Sequence, residues 1–278
     1  MSIPSEAPAL GGNADITGIL LAAGEGTRMR PLTHFCPKPL LPFLGRPILS
    51  HILEKIRGLR LSGTGINAHH LRPALEAWVQ AHAPELVLSV EDELLGSGGG
   101  ARAIAAKLPR TDHYLYHNGD ILSDAGLDAM IAQHRATDAD VTMLVVGPEA
   151  ADGSLRYSPS TQRVTRLPAH SGFVARPQDD DQAVSFGGIM LFKRAILDAL
   201  PPTPAPCILR DAVTPALHAG ARVMGFPHGG RWSDLGTHAR WLDGLRQHAA
   251  PPFADEILPG LPEPVLLDDG ESRVLFRS

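Results

Sequence analysis

Short apolar runs alternate with amphipathic stretches along most of the chain. Apolar runs predict buried strands at 16–22, 62–67, 86–90, 114–117, 141–146, 184–192 and 222–227. Apolar residues at helical spacing predict helices at 47–59, 71–83, 101–108, 127–136, 194–200, 209–219 and 237–245. Strands that alternate with helices indicate a doubly wound α/β sheet with right-handed crossovers, in which ligands bind at the carboxyl ends of the strands.

The same pattern predicts the limits of the folded domain. The chain has 278 residues, of which 44% are hydrophobic and 20% charged, and this suffices for one large α/β domain that we place at 16–250. Residues 1–15 are polar and rich in Pro, Gly and Ala, which predicts a flexible leader. Residues 251–278 form a proline-rich tail, with a possible strand at 265–267, that packs on the domain or extends from it. Within the domain, 152–181 is rich in Arg, Asp, Ser and Pro and predicts hairpins or loops.

The composition argues against two classes of binding partner, nucleic acids and membranes. The net charge of −5 gives no basic excess for a nucleic acid or an anionic membrane, and no apolar stretch approaches the about 20 residues of a membrane span. Cys36 and Cys207 are far apart and show neither a disulfide framework nor a zinc spacing, and none of the 13 histidines belongs to an HExxH motif. We therefore expect a cytoplasmic protein that binds neither nucleic acid nor membranes. The sequence does not determine the oligomeric state.

The first predicted strand runs into a glycine-rich loop, LLAAGEGTRMRPLTHFCPKP at 20–39. Small residues let backbone N–H groups approach a triphosphate and form an anion nest, and Arg28 and Lys38 add positive charge. The loop has Met29 where a dinucleotide fingerprint needs its third glycine, and it lacks the Gly-Lys-Ser/Thr of a Walker A loop. The loop therefore predicts a phosphate site of some other nucleotide-binding class.

Two aspartates follow predicted strands far apart in the chain. Asp120 ends the sequence Asn-Gly-Asp, and Asp234 lies in Trp-Ser-Asp-Leu-Gly-Thr after Gly229 and Gly230. Magnesium prefers a few carboxylates completed by phosphate oxygens and water, so the two together are candidate ligands. Taken singly, Asp120 also suits a turn, and Asp234 also suits a helix N-cap.

These motifs, in this order, closely resemble the signature of the sugar nucleotidyltransferases. The resemblance rests on LAAGEGTRMRPLT, PKPLLPFLGRPIL, Asn-Gly-Asp and Trp-x-Asp-x-Gly-Thr, and it extends with gaps over 16–245. It implies a Rossmann-like three-layer α/β/α domain with a mixed, mainly parallel sheet, the GT-A-like nucleotidyltransferase fold. It also implies the substrates and the cofactor: a nucleoside triphosphate, a sugar 1-phosphate and Mg²⁺, giving a nucleoside diphosphate sugar and pyrophosphate.

The resemblance implies a role for each motif. Arg28 would contact the leaving pyrophosphate and Lys38 the reacting phosphates, and both Asp120 and Asp234 would bind Mg²⁺. The implied nucleotide-binding residues are Leu21, Ala22, Ala23, Gly24, Glu25, Gly26, Gly98 and Gly99. The implied sugar-binding residues are Asn118, Gly187 and Gly188. Asn67 resembles part of a motif found in some bacterial members, and we interpret it as a helix cap.

One departure from the family pattern bears on the substrate. Many members carry a second lysine, in a Glu-Lys-Pro segment, that contacts the sugar phosphate, whereas this chain has no lysine between Asp120 and Phe186. The candidates to replace it are Arg156, Arg163, Arg166 and Arg176. With its short length, the chain looks most like N-acetylmuramate-1-phosphate uridylyltransferase, which predicts UTP and N-acetylmuramate 1-phosphate as substrates. A mannose- or heptose-phosphate guanylyltransferase and a catalytically inactive nucleotide-sugar sensor are the alternatives.

Overall fold

The computed structural model describes residues 12–147, 154–167 and 178–248, together with the backbone of two further strands. The helices are α1 Ile48–Gly58, α2 Arg72–His82, α3 Gly96–Ala105, α4 Leu127–Ala136, α5 Arg194–Asp198, α6 Thr214–His218 and α7 His238–His248. The strands are β1 Ile16–Leu21, β2 Pro42–Phe43, β3 Arg46–Pro47, β4 Gly63–Ala68, β5 Val87–Val90, β6 His113–Asn118, β7 Ile121–Ser123, β8 Val141–Val146, β9 Leu155–Ser158, β10 Arg163–Arg166, β11 Gln182–Lys193, β12 Val223–Pro227, β13 Trp232–Asp234, β14 Val265–Leu267 and β15 Arg273–Leu275. Short 3₁₀ turns cover Thr27–Met29, Leu32–His34 and Lys38–Leu40, and a π-helical turn at Leu209–Val213 leads into α6.

A nine-stranded mixed sheet forms the centre of the described domain. Its order is β5-β4-β1-β6-β11-β8-β12-β10-β9. Strands β5, β4, β1 and β6 are parallel neighbours, and β8 is parallel to β12. The long strand β11 runs antiparallel to both β6 and β8, and the hairpin of β9 and β10 returns so that β9 also pairs with β11. The predicted α/β fold with a mixed sheet is confirmed.

Helices cover both faces of this sheet, because neighbouring residues of a strand point to opposite sides. On β1, Ile19 belongs to the cluster that contains α3, α5 and α6, whereas Leu20 belongs to the cluster that contains α1 and α2. Gly65 lets α3 lie close to β4, since a Cβ there would come within 2.5 Å of Ile104 Cγ2. The result is three layers, with the carboxyl ends of β1 and β6 open at one edge.

Two short strands at that edge are elements that the hydrophobic pattern did not predict. Strands β7 and β13 pair antiparallel, with Asp234 opposite Ile121, and Leu235 N–H donates to Asp120 O at 2.9 Å. Strands of three residues carry too little pattern to be distinguished from loops. Their pairing joins the two parts of the chain that carry the predicted metal ligands.

The ends of the chain are described only in part. The predicted leader is described from residue 12, and there Asn13 Nδ2 donates to Leu59 O at 2.7 Å and Asp15 pairs with Arg135 at 2.6 Å. The strand predicted at 265–267 is present as β14 and pairs with β15, and apart from the backbone of these two strands the tail lies outside the described residues. No helix within the described ranges has both the length and the apolar character needed to cross a bilayer.

Two buried histidines make the stability depend on pH. Burial lowers the pKa of His117 and of His134 to about 4, and His113 and Lys193 add to the shift at His134. His134 Nδ1 lies 2.8 Å from Thr142 Oγ1 and its Nε2 lies 3.2 Å from His113 Nδ1, so the neutral ring fits this site.

Acidification is therefore expected to destabilise the fold. The fold has its full stability above the unfolded histidine pKa of about 6.5, where both rings are neutral in the folded and the unfolded protein. As the pH falls from there toward the folded pKa, the unfolded chain binds protons that the folded protein does not, and stability is lost. Between pH 7.5 and 5.5 each of the two histidines should cost on the order of 1 kcal/mol of unfolding free energy. Urea unfolding at several pH values measures the loss, which should be smaller in His134→Gln. The same pH dependence in both proteins would contradict this account.

Candidate active site

A cavity of about 450 Å³ opens where β1 and β6 end. Its polar lining comes from the glycine-rich loop, from the end of β6, from the start of α3 and from the turn after β13. The lining residues are Leu21, Ala22, Ala23, Gly24, Gly26, Thr27, Arg28, Lys38, Pro39, Asn67, Glu91, Leu94, Gly96, Ser97, Tyr116, Asn118, Gly119, Asp120 and Gly236. Most of the residues predicted to bind the nucleotide and to carry the chemistry are therefore brought together.

The glycine-rich loop uses its two glycines differently. Gly26 has a φ of 62° and starts the 3₁₀ turn that carries Arg28, whereas a Cβ on Gly24 would meet no atom within 4 Å. Glu25 points away from the cavity toward Arg30, at 3.5 Å in an exposed ion pair. The loop thus presents Gly24 to open space and turns Arg28 toward the cavity.

The structure corrects the interpretation of Asn67, which is not a helix cap. Its Oδ1 accepts hydrogen bonds from Ala22 N at 2.6 Å and from Ala23 N at 3.2 Å. These two N–H groups are therefore satisfied within the protein and are not available to bind an anion. Asn67 therefore sets the conformation of the loop from the adjacent strand β4.

A buried glutamate extends this link to the opposite wall of the cavity. Asn67 Nδ2 donates to Glu91 Oε1 at 2.7 Å, and Leu95 N–H donates to Glu91 Oε2 at 3.1 Å. Both side chains are only 4% exposed, and within the described chain no cation pairs with Glu91. We call Asn67 and Glu91 the polar brace, since together they tie the glycine-rich loop to the start of α3.

The glycine triplet packs α3 against its neighbours. The sequence predicted it to precede a helix, but Gly98, Gly99 and Gly100 lie inside α3 and are buried. Gly98 N–H donates to Pro206 O at 2.8 Å, and neither Gly98 nor Gly99 is among the described residues that line the cavity. Gly96 and Ser97 line it in their place.

Asp120 and Asp234 lie side by side because β7 and β13 pair. Each is half-buried and each accepts a hydrogen bond from a basic side chain: Lys38 Nζ donates to Asp120 Oδ2, and Arg240 Nη1 donates to Asp234 Oδ2. Asp234 Oδ1 accepts Gly236 N–H at 2.8 Å, which leaves Oδ2 to Arg240.

Four charged groups meet around Gly236. A Cβ on this residue would lie 2.6 Å from Asp234 Oδ1, 3.1 Å from Arg28 Nη2 and 3.4 Å from Lys38 Nζ. A side chain at this position would have to displace the charged ends of these three residues. Since Lys38 also contacts Asp120, the four residues predicted to carry the chemistry form one cluster.

A second cavity, of about 500 Å³, lies on the other side of Asp234. It is lined by Val146, Gly147, His228, Gly229, Gly230, Trp232, Ser233, Asp234, Arg240, Asp243, Gly244 and Gln247. Asp120 lines the first cavity and Asp234 the second, so the carboxylate pair stands at their junction.

Of the three residues predicted to bind the sugar, one lines the first cavity and the other two contact residues that line the cavities. Asn118 lines the first cavity, with the buried and neutral His117 behind it. Gly188, with a φ of 75°, lies against Asn118, since a Cβ there would be 3.2 Å from Asn118 Nδ2. Gly187 O accepts a hydrogen bond from Trp232 Nε1 at 2.9 Å, so it holds the wall of the second cavity.

The arginines considered as replacements for the second lysine lie outside both cavities or outside the described residues. Arg163 Nη2 donates to Ala221 O at 3.4 Å, and neither Arg156 nor Arg166 is among the described lining residues. Arg176 lies outside the described residues. Sequence reasoning did not single out Arg240, although its place six residues after Asp234, on the helix that follows, was a usable signal.

The two carboxylates suit a hard divalent cation. Within the described residues no group of three Asp, Glu, His or Cys side chains is placed to hold a metal ion. The chain therefore offers two carboxylates, and the other ligands would come from phosphate oxygens and water, which is the donor set that Mg²⁺ prefers. Lys38 and Arg240 donate to these same oxygens in the structure, so a bound metal ion would take the place of these two basic groups.

Comparison with known proteins gives a consistent result. The sequence model of the family described as "Nucleotidyl transferase" matches residues 17–250. A mannose-1-phosphate guanylyltransferase of Mycobacterium tuberculosis is 31% identical over 236 residues, which cover 82% of this chain and 63% of that protein. A mannose-1-phosphate guanyltransferase of Schizosaccharomyces pombe is 27% identical and covers 83% of this chain and 65% of that protein.

A solved structure shares the fold. HddC from Yersinia pseudotuberculosis, complexed with GMP-PN, superposes with a TM-score of 0.65 at 16% identity, covering 83% of this chain and 98% of that one. At this identity the likeness concerns the fold alone. This chain spans just under two thirds of the length of the two curated relatives.

The polar brace leads to a paired prediction. A Cβ at Gly100 would lie 2.7 Å from Asn67 Nδ2 and 2.8 Å from Glu91 Oε1, so Gly100→Ala should disrupt the brace and destabilise the protein by about 1–3 kcal/mol. Gly58→Ala, at the end of α1 with no atom within 4 Å of its Cβ, is the matched control and should be neutral or slightly stabilising. Urea unfolding and nucleotide titration measure both effects. Equal behaviour of the two variants would contradict the role given to the brace.

Proposed function

The chain belongs to the nucleotidyl transferase family, and from that premise we propose that it transfers GMP from GTP to mannose 1-phosphate, releasing pyrophosphate. The observation that carries the proposal is the charge cluster at the junction of the two cavities: Asp120 with Lys38, and Asp234 with Arg28 close by. Two phosphate-bearing substrates can meet at such a junction, one from each cavity. The cytoplasmic setting belongs to this proposal and rests on the low cysteine content.

The reaction proposed is an in-line displacement. An oxygen of the sugar phosphate attacks the α-phosphorus of the triphosphate, the bond to the β-phosphate oxygen breaks, and pyrophosphate leaves from the opposite side. A nucleophilic side chain is not needed, because the acceptor phosphate is itself the nucleophile. The task of the protein is to hold the two phosphates in line and to stabilise the developing charge.

Each charged residue has a place in this scheme. Arg28 extends from the 3₁₀ turn of the glycine-rich loop and neutralises the leaving pyrophosphate. Lys38, whose side chain is only 12% exposed, lies beside Asp120 and stabilises charge on the reacting phosphate. When bound by Asp120 and Asp234, Mg²⁺ would supply charge that screens the repulsion between the two phosphates.

The polar brace supports guanine as the base. Glu91 lines the first cavity, and in the structure both of its carboxyl oxygens accept hydrogen bonds, from Asn67 Nδ2 and from Leu95 N–H. The Watson–Crick edge of guanine offers two adjacent donors, N1–H and the N2 amino group, whereas uracil offers a single N–H between two carbonyls. An acceptor-only group therefore matches guanine better than uracil.

The acceptor follows from the relatives. The sequence alone favoured N-acetylmuramate 1-phosphate with UTP, but the two curated relatives reported above carry the name of mannose-1-phosphate guanylyltransferases. Mannose 1-phosphate with GTP is thus the better-supported pair.

The assay that tests the function is pyrophosphate release from a panel of triphosphates and sugar 1-phosphates. We expect the highest kcat/KM for GTP with mannose 1-phosphate in the presence of Mg²⁺, and activity at background level in Asp120→Asn and Asp234→Asn. Asp128→Asn, which replaces an exposed aspartate of α4, is the control and should retain full activity. Binding without release in every pairing would favour the inactive sensor, and near-normal activity in either site variant would refute the role of the pair.

A separate variant tests the choice of base. Replacing Glu91 by Gln retains its size but puts a donor where one carboxylate oxygen was, so one hydrogen bond to guanine is lost. A buried donor left without its acceptor costs about 1–3 kcal/mol, so kcat/KM for GTP relative to UTP should fall by about 5- to 150-fold. Urea unfolding separates this effect from a loss of stability. An unchanged ratio of GTP to UTP would show that Glu91 does not read the base.

A further inference from the structure

The second cavity has a positively charged side chain in its wall. Among the described residues that line it, Arg240 supplies the one lysine or arginine side chain, whereas Arg28 and Lys38 both line the first cavity. We propose that Arg240 binds the phosphate of the sugar 1-phosphate, which makes the second cavity the acceptor site. This inference rests on the proposed function, and it assigns a residue that the family resemblance does not point to.

The charge of the site requires a cation on this side. The acceptor phosphate must approach the junction past Asp234, whereas Asp243, the other carboxylate of this cavity, pairs with Arg246 at 3.0 Å. A phosphate dianion facing Asp234 is repelled unless a cation lies between them. A guanidinium suits this position because it presents parallel N–H groups that match two phosphate oxygens.

Arg240 has hydrogen-bonding capacity to spare. In the structure its Nη1 donates to Asp234 Oδ2, and the other N–H groups of the guanidinium have no partner among the described residues. Its side chain is 43% exposed on the first turns of α7, so the guanidinium can turn toward a ligand in the cavity.

Asp234 does not depend on Arg240 for its position. The pairing of β13 with β7 fixes its backbone, and Gly236 N–H holds its Oδ1 at 2.8 Å. The bond to Oδ2 can therefore be exchanged without displacing the carboxylate. This makes Arg240 available as a ligand-binding group rather than as a support for Asp234.

Arg240→Gln tests the proposal, with Arg72→Gln on α2 as the matched control. Arg72 is 45% exposed, pairs with Glu76 at 2.8 Å and lines neither cavity, so each variant removes one arginine and one ion pair from a helix. We expect Arg240→Gln to raise both the KM for the sugar 1-phosphate and its Kd, measured by calorimetry, by about 10- to 100-fold. The KM for GTP should stay within about twofold of the wild-type value, Arg240→Lys should recover part of the loss, and Arg72→Gln should behave as the wild type.

Other results overturn the proposal. If Arg240→Gln changes kcat or the Mg²⁺ requirement while the KM and Kd for the sugar 1-phosphate stay at the wild-type values, Arg240 acts only on Asp234. If the wild-type protein releases pyrophosphate from no pair of substrates, the proposed function fails. In that case calorimetry with mannose 1-phosphate still compares Arg240→Gln with the wild type, and equal or absent binding rejects the acceptor site as well.

Discussion

The pairing of β7 with β13 is the constraint on which the site depends. These two short strands come from distant parts of the chain, and their register sets Asp234 opposite Ile121, with Leu235 N–H on Asp120 O. Two carboxylates that are brought together in a half-buried place repel one another, so positive charge must accompany them. Lys38 and Arg240 supply that charge, one for each carboxylate, and each comes from a different cavity. The geometry of the backbone thus determines the electrostatics of the site.

Each of the two cavities suits one of the two substrates of a transfer reaction. The first is built from a glycine-rich loop that Asn67 and Glu91 hold open, and its cations, Arg28 and Lys38, suit a triphosphate. The second contains Arg240, and it suits a smaller phosphate ester. Because Asp120 and Asp234 lie between the two cavities, Lys38 and Arg240 can leave these carboxylates and bind phosphate groups when the substrates bind.

The sequence predicted the parts of the site that are local in the chain. The glycine-rich loop, Arg28, Lys38 and the two aspartates each lie in a short motif, and the structure brings them into one cluster. The partners of Asn67 were not predicted, because a hydrogen bond between strands leaves no pattern in a single sequence, and Arg240 was missed although its spacing from Asp234 was visible. The triplet that includes Gly98 was placed before α3 rather than inside it, since glycine disfavours helices and only the close packing against Pro206 explains it there. The alternation of strands and helices predicted the α/β fold well, whereas three-residue strands such as β7 and β13 are too short to show a period.

The most direct test of this account is a crystal structure of the protein with Mg²⁺, a GTP analogue whose bridge between the α- and β-phosphates cannot be cleaved, and mannose 1-phosphate. The account predicts the metal ion between Asp120 and Asp234, with Lys38 and Arg240 released from these carboxylates. Lys38 should then contact the nucleotide phosphates in the first cavity, and Arg240 should contact the phosphate of the sugar in the second. A structure in which both basic side chains remain on the carboxylates, or in which the sugar phosphate binds away from Arg240, would contradict it.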